Sequence, residues 1–118
     1  MISVAAAGTV AALEAGLPEK TPVIRVMPNT PASVGAGMTA ITAGRYADED
    51  FLETAKEIFS ALGKAAVVSE RQLDEMGALS GAGPGYAFVI IDALADAGVR
   101  AGLPRKLAVE AAAQTLYG

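Results

Sequence analysis

Leu79-Ser80-Gly81-Ala82-Gly83-Pro84-Gly85-Tyr86-Ala87-Phe88 decides how this chain is organised. Before it, short apolar runs alternate with helical patterns, as in an α/β unit. After it come two helical patterns and no strand signal. Pro84 suits the first turn of a helix, where its missing N–H costs little. The glycines around it permit close backbone approach and positive φ, so the segment reads as a loop feeding a helix. The chain therefore divides into an α/β part, residues 1–80, and an all-α part, residues 81–118.

Downstream of the loop, Tyr86, Val89, Ile90, Ala93, Leu94 and Ala97 fall on one helical stripe, flanked by Phe88, Ile91 and Ala95. A helix apolar almost all round is buried on most sides. In so short a chain this predicts that the Gly85–Arg100 helix is covered by a second subunit. Asp96 and Arg100 are four apart and placed to pair. Gly102 breaks the helix, and Pro104 starts another that reaches Tyr117.

Upstream, Ile2 and Val4 alternate with Ser3 and Ala5, which predicts a strand over residues 1–6. Thr9 can cap a short helix from Val10 to Ala15, and Gly16 can close it. Val23, Ile24 and Val26 predict a buried strand ending at Met27, with Arg25 facing solvent or an anionic group. Pro28 stops that strand, Gly35 and Gly37 extend the loop, and Met38–Ala43 forms another strand. Over residues 48–62, Phe51, Leu52, Ala55, Ile58, Phe59 and Leu62 make one helical stripe. Asp48, Glu49 and Asp50 load its positive end with negative charge, and Gly63 stops it. A strand over 65–69 and a helix over 71–79 lead back to the opening segment.

Composition narrows the function. The net charge is −4 and the nine basic residues are scattered, against nonspecific nucleic-acid binding. The chain has no His and no Cys. That removes the commonest general base, thiolate chemistry, disulfides and the usual zinc ligands, so no metal site is expected. The longest apolar run, Gly85–Val99, carries Asp92 and Asp96 and falls short of the ~20 residues a bilayer span needs. The expectation is a soluble cytoplasmic protein without a membrane segment.

Two motifs carry candidate chemistry. Met27, Pro28, Asn29, Thr30 and Pro31 sit where a strand ends, the place where open α/β sheets bind ligands. Asn29 offers an amide donor and acceptor, Thr30 a hydroxyl, and the two prolines stiffen the loop. The plainer alternative is an ordinary strand-terminating turn. Ser80, Gly81, Gly83 and Pro84 form either an interdomain hinge or an anion-binding helix N-terminus. Their spacing is not that of the dinucleotide fingerprint. Asp74 and Glu75 are expected to face solvent, and Tyr86 to pack with one satisfied hydrogen bond.

Ile2–Ala6, Val23–Pro31, Leu79–Phe88, Asp92–Asp96 and Gly102–Arg105, in that order, resemble pyrroline-5-carboxylate reductase. The resemblance covers nearly the whole chain. It implies the C-terminal part of a Rossmann-like cofactor domain followed by the start of an all-α dimerisation domain. It also implies reduction of a cyclic imine, 1-pyrroline-5-carboxylate, to L-proline with NADP or NAD as cofactor. Residues 27–31 would bind that cofactor, and the Gly85–Arg100 helix would pair two copies. The chain has Ala82 where the family usually has Ser, and Gly85 where it usually has Ala. The family's phosphate-binding Gly-rich turn would lie before Met1. Its Ser-Pro-Gly-Gly-Thr segment, and with it the catalytic residues, is expected beyond Gly118. The chain alone is therefore expected to be nearly inactive. Two other readings are a non-catalytic oligomerisation module and another two-domain NAD(P)-dependent reductase. A hydroxy-acid dehydrogenase typically has a Lys on its interdomain helix, and none occurs between Gly81 and Gly102.

Overall fold

A computed structural model describes all 118 residues. The backbone forms two compact units, Met1–Ala82 and Gly83–Gly118. The first carries four strands in the order β1 (Ile2–Ser3), β2 (Ile24–Met27), β3 (Gly37–Ala43) and β4 (Gly63–Val67). β1 and β2 are parallel, β2 and β3 antiparallel, β3 and β4 parallel. The sheet is therefore mixed. Pro28 ends β2, and a short 3-10 turn at Thr30–Val34 sends the chain straight back as β3. No crossover helix intervenes, so these two strands must run in opposite directions.

β1 is shorter than the pattern over residues 1–6 predicts. Its ladder stops at Ser3, and Val4 is 61% exposed. The Ala6 carbonyl accepts from the Arg25 side chain instead of a neighbouring strand, and Gly8 at φ +111° turns the chain away. Thr9 caps α1 (Val10–Ala15) by accepting from the Ala12 N–H.

α2 (Glu49–Ser60) is capped by Asp48, whose Oδ1 accepts from the Phe51 N–H at 3.1 Å. Ala55 and Phe59 join Ile24, Val26 and Ile41 in the core, with Leu52 packed beside them. Phe51, Ile58 and Leu62, on the same predicted stripe, remain exposed. Only the Leu52–Ala55–Phe59 edge of the stripe reaches the sheet. β4 begins at Gly63, two residues before the predicted strand. Gly63 has φ +141° and lies against Gly37, so a Cβ there would sit 2.1 Å from the Gly37 carbonyl oxygen.

The expected loop at Ser80–Pro84 is helical. α3 (Glu70–Met76), opened by a Ser69–Gln72 capping box, runs into a π-turn at Gly77–Gly81. α4 (Gly83–Arg100) follows at once. The positive-φ glycines are Gly8, Gly35, Gly63 and Gly102, and none belongs to this segment. Pro84 is tolerated in the first turn of α4, so the helix restarts without a loop. The i→i+5 bond from the Ala82 N–H to the Gly77 carbonyl, 3.1 Å long, accommodates the junction.

In the second unit α4 packs on α5 (Arg105–Tyr117) through Ile91, Ala95, Ala108 and Ala112. Gly98 lets the helices approach closely, since a Cβ there would lie 3.1 Å from the Ala108 Cβ. The inward face is thus Ile91–Ala95–Gly98, a flank of the predicted stripe. Tyr86, Phe88, Val89, Ile90 and Leu94 are exposed. Tyr86 carries no hydrogen bond, contrary to the packed position expected for it. Arg100 does not pair with Asp96. Arg105 binds both Asp92 and Asp96, because its fork at the start of α5 spans the two carboxylates one helical turn apart. Hydrogen bonds to Asp96, then to Asp92, raise the Arg105 guanidinium above its ordinary range.

Helical residues 70–100 are long and apolar enough, by length and composition alone, to cross a membrane. The apolar run Gly85–Val99 is thus part of a longer helical segment than the sequence pattern indicates.

Candidate functional site

Met27, Pro28, Asn29, Thr30 and Pro31 lie where β1 and β2 finish and β3 and β4 begin. Met27 is the last residue of β2, and Asn29 precedes the 3-10 turn with Pro31 in its first turn. The proline rings fix two φ angles. Gly35 closes the turn in the left-handed region at φ +73°, and the Gly35 and Ala36 N–H groups bond back to Ala32 and Pro31. The loop is therefore stiff, and its conformation is set before any ligand arrives.

Asn29 uses both side-chain polar atoms inside the protein. Its Oδ1 accepts from the Met38 N–H at 2.8 Å, and its Nδ2 donates to the Ser80 carbonyl at 2.9 Å. The Asn29 N–H, the Thr30 N–H and the Thr30 hydroxyl carry no bond within the chain. Thr30 is exposed. The loop thus presents three free hydrogen-bond groups beside the apolar Met27 and Pro28. That set can hold a carboxamide or carboxylate, and it contains no proton donor that titrates near neutrality.

Ser80, Gly81, Gly83 and Pro84 form part of the π-turn and the start of α4. The Ser80 hydroxyl donates to the Met76 carbonyl at 2.9 Å, and the Ala82 N–H is bonded to Gly77. Pro84 has no N–H. These groups are bonded within the turn or lack an N–H, so none of them is free to meet an anion.

A charged cluster that the sequence patterns did not reveal lies beside the loop. Arg25 on β2 is only 2% exposed. Its guanidinium reaches Glu70 at 3.2 Å, Asp74 at 2.9 Å and the Ala6 carbonyl at 3.3 Å. Its Nε is buried without a partner. Glu70 also accepts from the Val10 N–H at 2.6 Å. Arg25 thereby ties the chain after β1, the start of α1 and the helix α3 to one strand. The two carboxylates expected to face solvent are both exposed; Asp74 also pairs with Arg25, and Glu75 pairs with Arg71. The lone Arg inside an apolar strand pattern was the available signal. Its partners, 45 and 49 residues away, were not legible.

Two concavities are present. One, lined by Gly35, Gly37, Met38, Ser60 and Lys64, adjoins the return from the loop into β3. The other, lined by Glu14, Lys20, Arg45 and Tyr46, lies at the opposite end of β3 and mixes charges of both signs.

Residues 70–118 match the family model described as pyrroline-5-carboxylate reductase dimerisation. Pyrroline-5-carboxylate reductase of Mycobacterium tuberculosis is 47% identical over 99% of this chain, which spans 40% of that protein. That of Synechocystis is 48% identical over the full chain, with 44% of its length covered. The chain therefore spans less than half the length of these relatives. A pyrroline-5-carboxylate reductase structure from Coxiella burnetii superposes with a TM-score of 0.92, at 39% identity over 99% of this chain and 44% of its own. The Plasmodium falciparum pyrroline carboxylate reductase, solved with NADP bound, also gives 0.92, at 31% identity over 100% of this chain and 48% of its own. Sequence and backbone agree along essentially the whole length of the chain, which is similar throughout to part of the pyrroline-5-carboxylate reductases.

Proposed function

We propose that this chain is the central part of an enzyme that reduces 1-pyrroline-5-carboxylate to L-proline with NADPH or NADH. Residues 1–80 would complete the cofactor domain, and residues 81–118 would begin the dimerisation domain. The observation that carries this reading is the stiff loop at the end of β2, with three free hydrogen-bond groups, in a chain 47% identical to a pyrroline-5-carboxylate reductase. The NADP bound to the Plasmodium relative supports a nicotinamide cofactor.

A reduced nicotinamide, when bound, would supply the hydride for the imine carbon. The loop's part is to orient. The N–H groups of Asn29 and Thr30, with the Thr30 hydroxyl, would fix a carboxamide or carboxylate group. Met27 and Pro28 would keep water from one side. Restricting reactants in this way supplies much of the catalysis when the cofactor itself carries the chemistry. Residues 27–31 include no acid to protonate the imine nitrogen. That role, and the substrate carboxylate site, are assigned to segments outside the chain. Ser80, Gly81, Gly83 and Pro84 would then serve as the junction between domains. The setting would be the cytoplasm.

A chimera tests the activity. Residues 1–118 replace the matching segment of the Mycobacterium tuberculosis relative. The chimera is expected to oxidise NADPH in the presence of the imine within about tenfold of the parent rate. A folded chimera with less than a thousandth of that rate refutes the assignment. The 118-residue chain alone is expected to show no turnover above background in the same assay.

A second copy of the chain is the partner proposed for the exposed face of α4. Val89 is 70% exposed and takes no part in the Ile91–Ala95 contact with α5. Val89→Glu should therefore convert a dimer to monomer in sedimentation, weakening association by more than about a hundredfold, with helix content unchanged. Membrane residence is the competing account of so apolar a helix. Binding to phospholipid vesicles in place of self-association would favour it.

A further inference from the structure

The Asn29 carboxamide joins the two sequence motifs. Ser80, whose carbonyl it binds, lies four residues before Pro84. In an uninterrupted α-helix the N–H of residue 84 would donate to that carbonyl. Proline has no N–H to give. Pro84 can therefore give the Ser80 carbonyl no i→i+4 donor, and Asn29 Nδ2 supplies one at 2.9 Å. The other face of the carboxamide is fixed by the Met38 N–H at 2.8 Å. Met27 lies close to the same turn, since a Cβ on Gly77 would sit 3.3 Å from the Met27 Cε. Asn29 thus bonds the π-turn and Met27 lies near it.

We propose that Asn29 is a positioning residue whose side chain replaces the backbone donor missing at Pro84 and so fixes the π-turn Gly77–Gly81 to the end of β2. The side chain is spent on the fold, and ligand recognition at the loop passes to its backbone and to Thr30. This role holds whether or not the loop binds a nicotinamide.

A double-mutant cycle on the full chain tests it, read by hydrogen exchange over residues 76–82. Asn29→Asp keeps an acceptor for Met38 but sets an oxygen against the Ser80 carbonyl. Pro84→Ala returns a backbone donor to that carbonyl. Asn29→Asp is expected to speed exchange over 76–82 about tenfold or more in the Pro84 background. In the Pro84→Ala background the increase should fall below about threefold. Equal increases in both backgrounds overturn the proposal. If Asn29→Asp fails to fold, recovery of folding by Pro84→Ala supports it. If neither variant folds, the native chain decides by NMR: a scalar coupling across the hydrogen bond from Asn29 Nδ2 to the Ser80 carbonyl carbon supports the proposal, and its absence overturns it.

Discussion

Gly63→Ala is expected to cost more than about 4 kcal/mol, enough to prevent folding of a chain this small. Two effects combine. Gly63 has φ +141°, which only glycine adopts without strain. A Cβ would also lie 2.1 Å from the Gly37 oxygen and 2.4 Å from its nitrogen. Both are backbone atoms, so no rotamer change relieves the clash. Gly37 is the register partner of Gly63 in the β3–β4 ladder, and its N–H bonds to the Leu62 carbonyl at 2.9 Å. Relief requires parting the strands at the end of the sheet that carries the loop. Urea denaturation followed by circular dichroism is the measurement. A loss below about 1 kcal/mol would show that the close approach is not as described. Gly81→Ala is the control: its Cβ meets nothing within 4 Å and its φ is not positive, so it should be neutral or stabilise by up to about 1 kcal/mol.

Arg25→Leu is expected to destabilise by about 2–4 kcal/mol in the same measurement. The guanidinium is almost wholly buried, and three oxygens from Ala6, Glu70 and Asp74 depend on it. Removing one partner of a buried pair usually costs about 3–5 kcal/mol because a charge is left stranded. Here the side chains of Glu70 and Asp74 are 36% and 59% exposed, so water takes up part of the loss. Arg25→Lys keeps the charge but cannot reach the partners as a planar fork, so an intermediate loss is expected. A loss below about 0.5 kcal/mol for Arg25→Leu would remove the cluster from any account of stability.

Much of the fold was legible in the chain's patterns. Thr9 and Asp48 mark helix starts because polar and charged side chains there meet free N–H groups locally, whereas Ser69, read as the end of a strand, proved to be a cap. Pro28 and Pro104 act within one or two residues, and their effects need no distant partner. The apolar periodicity of residues 48–62 identified a helix, but not which edge of it would meet the sheet. Likewise the helix after Pro84 was evident, yet its inward face proved to be Ile91–Ala95–Gly98. A stripe apolar on several sides does not say which side an Ala-rich neighbour such as α5 will cover.

The candidate loop at residues 27–31 was visible because prolines and polar residues follow a buried strand. The reading of its Asn29 side chain needed coordinates. The sequence shows a carboxamide and a proline 55 residues later, but not that one makes up for the N–H the other lacks. The same limit applies to Arg25, whose partners come from α3, and to the pairing of Arg105 with both Asp92 and Asp96. Glycine-rich composition around residue 81 suggested a loop. Glycine permits many conformations, and the bonds of the neighbouring turns selected the helical one. By itself, then, the sequence determined the local elements, the change of character near residue 81 and the likeness to pyrroline-5-carboxylate reductases. The tertiary structure alone decided the mixed strand order, the pairing of buried charges and the fastening of the two motifs. Those depend on groups far apart in the chain, whose meeting no local propensity encodes.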